Sequence, residues 1–259
     1  MKTLMTTLLV TAAAAGAAQA QTALGLTGDR TLVMIDTATG AVTGSVEAQG
    51  VTRLHGIDYR PGNGTIIGVT DTQAIVTIDP ATGATTEIAK MNTMLDIAEG
   101  AAVIVDVNPA ADRLRFMSGS SNHRVNMETG EVTVDGMLNF DPADANAAAT
   151  PMVVAVAYTN SYGKPEKTAM FDIDAGLNAL LQQTAPNDGT LATIGSLGVT
   201  LEGPVALDVA TTADGTNTAY VAALGGLHML DLATGTVSGT MPITGTDQPV
   251  RDMTILPAM

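Results

Sequence analysis

Four aspartates recur in one apolar setting: Asp58 in Gly-Ile-Asp-Tyr, Asp106 in Ile-Val-Asp-Val, Asp208 in Ala-Leu-Asp-Val and Asp252 in Val-Arg-Asp-Met. Carboxylates repeated in this way can do three things. Brought together, they offer hard oxygen ligands to a cation such as Ca2+. Held about 5–10 Å apart with separated pKa values, two of them can act as acid and base on a glycosidic bond. Buried between strands, each can accept hydrogen bonds from backbone N–H groups of a neighbour, which needs no ligand. Close carboxylates with neither a cation nor donors would repel and raise one another's pKa. Burial of the four therefore calls for a metal or for the backbone.

Basic residues are scarce, 11 Lys and Arg with 3 His, yet Arg113, Arg115, His123 and Arg124 fall within twelve positions. Alternation along a strand puts Arg113 and Arg115 on one face. That pair can clamp a carboxylate-bearing ligand or pair with Asp106 or Asp112. Arg53 and His55 form the other candidate. The sequence thus nominates Arg53, His55, Arg113 and Arg115 for ligand binding and Asp58, Asp106, Asp208 and Asp252 for a metal. No spacing of Ser, His and Asp converges on a nucleophile, so no residue is nominated as catalytic. Asp141, Asp144 and Asn146 lack the Gly-centred pattern of a Ca2+ loop.

What must position these side chains is legible in a repeated turn. Asp36-Thr-Ala-Thr-Gly40 returns as Asp79-Pro-Ala-Thr-Gly83, Asn126-Met-Glu-Thr-Gly130 and Asp231-Leu-Ala-Thr-Gly235, with a worn copy at Ala185-Pro-Asn-Asp-Gly189. The leading Asp or Asn can bond backbone N–H groups two residues on, and the closing Gly can take φ > 0. The repeat glycines stand 43, 47, 59 and 46 residues apart. A period in the mid-forties without helical patterning predicts propeller blades of four strands. Leu54–Arg60, Val103–Asn108, Met152–Thr159 and Val205–Ala210 read as the inner strands of four blades. Val250–Leu256 is an inner strand with nothing after it, and Ala23–Val46 supplies three strands with nothing before them. The 24 residues after Gly235 and the 20 from Gln21 to Gly40 make one period. The reading is an all-β, five-bladed propeller whose C-terminal strand completes the N-terminal blade. The long linker Gly136–Pro151 is expected to lack structure of its own. The loops entering each inner strand share a face opposite the repeated turns, and that face is the expected binding face. It carries Arg53 and His55.

Composition narrows the function classes. Against 26 acidic residues the chain has a net charge of −15, which argues against nucleic acid and against docking on anionic lipid. There is no Cys, hence no disulfide and no thiol chemistry. Lys2, the apolar run Leu4–Ala18 and the small-x-small step Ala18-Gln19-Ala20 predict a cleaved signal peptide over residues 1–20. A single propeller domain would follow over 21–259, periplasmic or secreted from a bacterium. With 4 Tyr, 3 Phe and no Trp, aromatic platforms for sugars are few.

The runs His55-Gly-Ile-Asp-Tyr-Arg-Pro61, Thr77-Ile-Asp-Pro-Ala-Thr-Gly83, Asn108-Pro-Ala-Ala-Asp-Arg-Leu-Arg115, Ala157-Tyr-Thr-Asn160 and Ala185-Pro-Asn-Asp-Gly189 resemble a family of exported bacterial proteins classed only as a domain of unknown function. The resemblance spans the whole mature chain. It implies an exported, propeller-like protein and brings no catalytic residues with it. The blades also resemble seven-bladed surface-layer and quinoprotein-like repeats, but no Trp-based stacking repeat supports a quinone cofactor. The expectation is a monomeric, non-enzymatic propeller that binds a protein partner or small ligand on its loop face. The alternatives are a propeller hydrolase or lyase using the inner-strand carboxylates, and a structural surface or matrix protein.

Overall fold

The computed structural model describes residues 21–257, so the expected signal peptide lies outside the described residues. These residues are all β and form five small sheets arranged as a five-bladed propeller. The first blade holds β1 (Thr22–Thr27), β2 (Thr31–Asp36) and β3 (Val42–Glu47). The second is β4 (Leu54–Arg60), β5 (Thr65–Thr70), β6 (Ala74–Ile78) and β7 (Thr85–Lys90). The third is β8 (Val103–Asn108), β9 (Arg113–Ser118), β10 (Ser121–Val125) and β11 (Val132–Val134). A short β12 (Asn139–Phe140) precedes the fourth blade, β13 (Val153–Tyr158), β14 (Met170–Asp174), β15 (Ala179–Ala185) and β16 (Thr190–Ser196). The fifth is β17 (Ala206–Thr211), β18 (Asn217–Ala223), β19 (Gly226–Leu230) and β20 (Val237–Pro242). The last strand, β21 (Val250–Leu256), pairs antiparallel with β1 in a register that sets Leu24 against Thr254. The chain ends thus share the first blade, as the repeat arithmetic requires, and no inner edge is left to pair with another chain.

Burial falls outward along each blade. Inner strands such as β4 and β17 are nearly all buried, whereas β3 and β20 are mostly exposed and rich in Thr, Ser and Gly. Among the described residues the apolar core divides into five clusters, each straddling one interface between blades. Ile67 and Ile75 of the second blade, for instance, pack on Val105, Leu114 and Phe116 of the third. Ile104 and Met117 of the third blade pack in turn on Val153, Tyr158 and Leu181 of the fourth. Aliphatic residues carry the packing, each buried one contributing roughly 1.5–3 kcal/mol.

The repeated turn does more than reverse the chain. In the first copy the Asp36 carboxylate accepts the N–H groups of Ala38 and Thr39, both at 2.9 Å. The closing glycines then reach across to the preceding blade. Gly83 has φ of 73°, and a β-carbon there would run into the Glu47 carbonyl oxygen at the end of β3. Its own carbonyl accepts the Gln49 N–H at 2.8 Å. Gly130 repeats the arrangement against Lys90 and Asn92 of the second blade. Equivalent close approaches occur at Gly40, Gly189 and Gly235.

The linker 136–151 departs from expectation. Its residues Leu138 and Phe140 are buried, and β12 adds to the fourth sheet as a parallel edge strand, with Asn139 beside Thr190. The Asp144 carboxylate accepts the Thr193 N–H at 2.6 Å, so the acidic loop caps β16. Two alternating apolar residues were enough to bury this segment over an edge that would otherwise be open.

Candidate functional site

The inner strands β4, β8, β13, β17 and β21 border the central channel in ring order. Four of them bring the nominated aspartates together, each nearly fully buried except Asp252, which is half-buried. In Asp58, Asp208 and Asp252 the oxygen pair serves two strands. Asp58 accepts the N–H of Tyr59 on its own strand at 2.7 Å and that of Val107 on β8 at 2.6 Å. Asp252 accepts Met253 N–H at 3.0 Å and, across the interface, Ile57 N–H at 2.7 Å. Asp208 accepts Val209 N–H at 2.6 Å and Ile255 N–H on β21. Asp106 meets the Tyr158 backbone N–H on β13. Each carboxylate therefore crosses to the next blade. The fourth blade has Ala157 at this level, and there the ring of acids is interrupted.

These groups are close and their charges conflict. Oxygens of Asp58, Asp106 and Asp208 lie within 4.8 Å of one another, a grouping Asp252 does not join. Burial, followed by repulsion from Asp208, pushes the Asp58 carboxyl well above its ordinary range. Burial and then Asp58, Asp208 and Asp252 do the same to Asp106. Burial lifts Asp208 to about 6 and Asp252 to about 7, against the lowering effect of their backbone donors. Beneath the ring, Asp58, Asp208 and Thr254 line a void of about 20 Å³, room for one water molecule.

On the loop face the channel opens into a funnel of about 910 Å³. Arg53, His55, Asp71, Gln73, Glu99 and Arg251 supply its charged and polar groups, and Leu95, Ile97, Val103, Val154 and Val205 its apolar wall. Arg53 is exposed and stands 3.5 Å from Asp29. The His55 ring is tilted against Phe116 with centroids 6.1 Å apart. Burial, then the charges of Arg53 and Arg251, push the His55 imidazole below its ordinary value, against an opposing effect of Asp71. A narrow apolar neck formed by Val105, Ala155, Val156 and Leu207, with Arg251 and Asp252, leads down from the funnel.

The two nominated pairs of basic residues part company. Arg53 and His55 meet in the funnel, on the face where the loop count places them. Arg113 and Arg115 lie on β9 and are not among its lining residues. Arg113 is exposed and donates to the Asp112 carbonyl oxygen at 3.0 Å. Arg115 is buried and donates to Asn122 at 2.8 Å, to Asp135 at 2.7 Å and to the Tyr158 hydroxyl at 3.2 Å. Burial opposes the Asp135 charge, but hydrogen bonds from Arg124 and Arg115 hold its carboxyl below the usual range. Arg115 thus pairs with Asp135, where the sequence pointed to Asp106 or Asp112. Arg251 is the funnel residue that sequence reasoning passed over. Its only signal was its place beside Asp252 at the entrance to an inner strand.

The model of a family described as a domain of unknown function, DUF4394, matches residues 31–254. Among solved structures the chain resembles a protein of unknown function from Bacteroides thetaiotaomicron VPI-5482, at 16% identity over 93% of this chain and 68% of that one, with a TM-score of 0.54. It also resembles a luciferin-regenerating enzyme, at 13% identity over 90% and 80% of the two chains, with a TM-score of 0.50. A protein of unknown function from Bacteroides caccae matches at 14% identity over 88% and 75%, with a TM-score of 0.42. At such identities the likeness is one of fold. No curated protein matches the sequence at a significant level.

Proposed function

The chain belongs to the DUF4394 family, and from that premise we propose that it is an exported propeller that binds a small ligand in its loop-face funnel without transforming it. One observation carries the reading: the funnel combines the volume of a small-molecule site, ~300–1,000 Å³, with a few convergent polar groups set against an apolar wall. The inner carboxylates support binding over acid–base catalysis. Asp58, Asp208 and Asp252 each engage backbone N–H groups with both oxygens, and Asp58 and Asp208 lie below the neck, which Asp252 lines. Export rests on Lys2, the apolar run and the Ala18-Gln19-Ala20 step. Mass spectrometry of the protein recovered outside the cytoplasm should give an N-terminus at Gln21, and an intact Met1 there would refute cleavage.

Binding is tested by blocking the funnel. Ala101 lies on a loop, lines the funnel and is half-buried, so Ala101→Trp fills it without entering a sheet. A ligand found by thermal-shift screening should lose at least tenfold in affinity in this variant, with circular dichroism unchanged. Equal affinity in both proteins would move the site elsewhere.

A further inference from the structure

We infer that the ligand is a small monoanion, a carboxylate joined to an apolar body, and that its carboxylate seats on Arg251 at the funnel floor. This rests on the funnel reading and narrows it. Arg251 lines both the funnel and the neck below, so it stands where the one passes into the other. Its guanidinium is held by backbone alone. Nε donates to the Gly28 carbonyl at 2.6 Å, one Nη1 N–H to His55 at 2.8 Å, and Nη2 to Asp29 at 3.0 Å and Leu54 at 2.5 Å. A guanidinium has five N–H donors, so one N–H on Nη1 is left over. All four acceptors are neutral carbonyls. A half-buried positive charge is thus fixed in place with no carboxylate hydrogen-bonded to it, and an unpaired charge out of water favours a counter-ion.

Of the charges that bear on Arg251, the Asp252 and Asp29 carboxylates attract it without a hydrogen bond and Arg53 repels it. Arg53 flanks the seat, and its exposed partner Asp29 neutralises it only loosely. At His55 the two arginines outweigh Asp71, so the local field is positive in a chain of net charge −15. The funnel wall also carries Asp71 and Glu99, which would repel a second negative charge. That limits the class to monoanions. The apolar body would lie on Leu95, Ile97, Val154 and Val205. An oxygen of the ligand accepting the spare Nη1 N–H makes a charge-assisted hydrogen bond of the strong kind.

The test compares hexanoate and benzoate with hexanamide and benzamide, which match them in shape and lack the charge. Calorimetry on the mature chain at pH 7.5 should show the carboxylates binding at least tenfold tighter than their amides. Arg251→Lys keeps the charge and should lose most of that preference. Because Arg251 also ties β4 to the β1–β2 turn, Arg53→Glu at the exposed rim gives a second variant. It should weaken the carboxylates several-fold and leave the amides unchanged. Amides binding as well as carboxylates, and both lost in Ala101→Trp, would overturn the anion seat and leave the funnel standing. No binding of either pair, or binding indifferent to Ala101→Trp, would overturn both.

Discussion

Two rings of contacts join neighbouring blades, and they are built on opposite principles. The outer ring is made by backbone. In all five blades a glycine in left-handed conformation lies against a carbonyl of the preceding blade or of the linker beside it. The inner ring is made by charged side chains, is present in four interfaces of five, and sets carboxylates near one another out of water. The outer ring is rigid and pH-indifferent. The inner ring satisfies buried N–H groups at the cost of electrostatic repulsion. Duplication of one blade explains why both recur, and the difference in chemistry decides what each perturbation should do.

Among single substitutions the largest effect should come from the outer ring. Gly130→Ala combines a left-handed alanine, costing about 1–2 kcal/mol, with an overlap on the Lys90 backbone that cannot relax by a rotamer change. A loss of about 3 kcal/mol or more is expected, read as a melting point lowered by roughly 6–12 °C. Gly28→Ala is the control. Its φ of 52° is also positive but nothing lies within 4 Å of the added carbon, so only the conformational part should appear. Equal losses at the two sites would remove the clasp from the account.

Next is the inner ring. Asp58→Ala leaves the Val107 N–H buried without its acceptor, at about 2 kcal/mol. Asp58→Asn removes the charge but leaves one acceptor oxygen for two backbone N–H groups, so it should lose about 1 kcal/mol at pH 6, less than the alanine variant. At pH 8 that loss should shrink, as repulsion from Asp208 is relieved. Denaturant unfolding at the two pH values measures both. Asparagine as damaging as alanine would mean that the charge itself holds the blades together.

The rings should also separate by pH. The folded-state carboxyls of Asp208 and Asp252 stand at about 6 and about 7, and Asp172, buried on β14, also stands at about 7. All three are raised above the unfolded value of 3.8 given for each. The folded state therefore binds more protons. Its extra stability is complete below about pH 4 and is lost as pH rises through 6–7. A loss on the order of 5 kcal/mol between pH 5 and 8 is expected from the three together. Asp112 and Asp135 are shifted the other way, Asp112 chiefly by its hydrogen bond from Arg60 and Asp135 by its arginines over opposing burial. They lose their contribution as pH falls below the usual carboxylate range. Stability should thus peak near pH 4, and Asp252→Asn should flatten the limb above it. A stability that rises from pH 5 to 8 would contradict the buried acids.

Much of this was legible before any coordinates. The turn glycines fixed the blade count because φ > 0 at a regular interval is a backbone demand written directly in residue type. Inner-strand aspartates were visible because an acid in an apolar run has few explanations. Their partners were not visible. Asp58 and Val107 stand 49 residues apart, and pairing across blades depends on inter-blade geometry, which no local pattern encodes. Arg251 was hidden for the same reason, since its acceptors Gly28 and Leu54 lie at the other end of the chain. The strand β12 was missed because two residues carry too little periodicity to register.

The smallest expected effect concerns a cation. Three converging carboxylates have the spacing of a Ca2+ seat, and an ion would quiet their repulsion as protons do. The two solutions differ in what they demand of the oxygens. A cation needs lone pairs that face it, and in Asp58 and Asp208 one lone pair on each oxygen already accepts a backbone N–H group. A proton needs one acceptor for its O–H, and burial pushes every carboxyl of the ring toward the protonated form. Dialysis against chelator at pH 6 should therefore leave the melting point unchanged, and millimolar Ca2+ should not raise it. At pH 8, with the ring ionised, added Ca2+ should stabilise by no more than a degree or two. A fall of several degrees on chelation at pH 6 would put a metal in place of the protons and would make the inner ring a binding site in its own right.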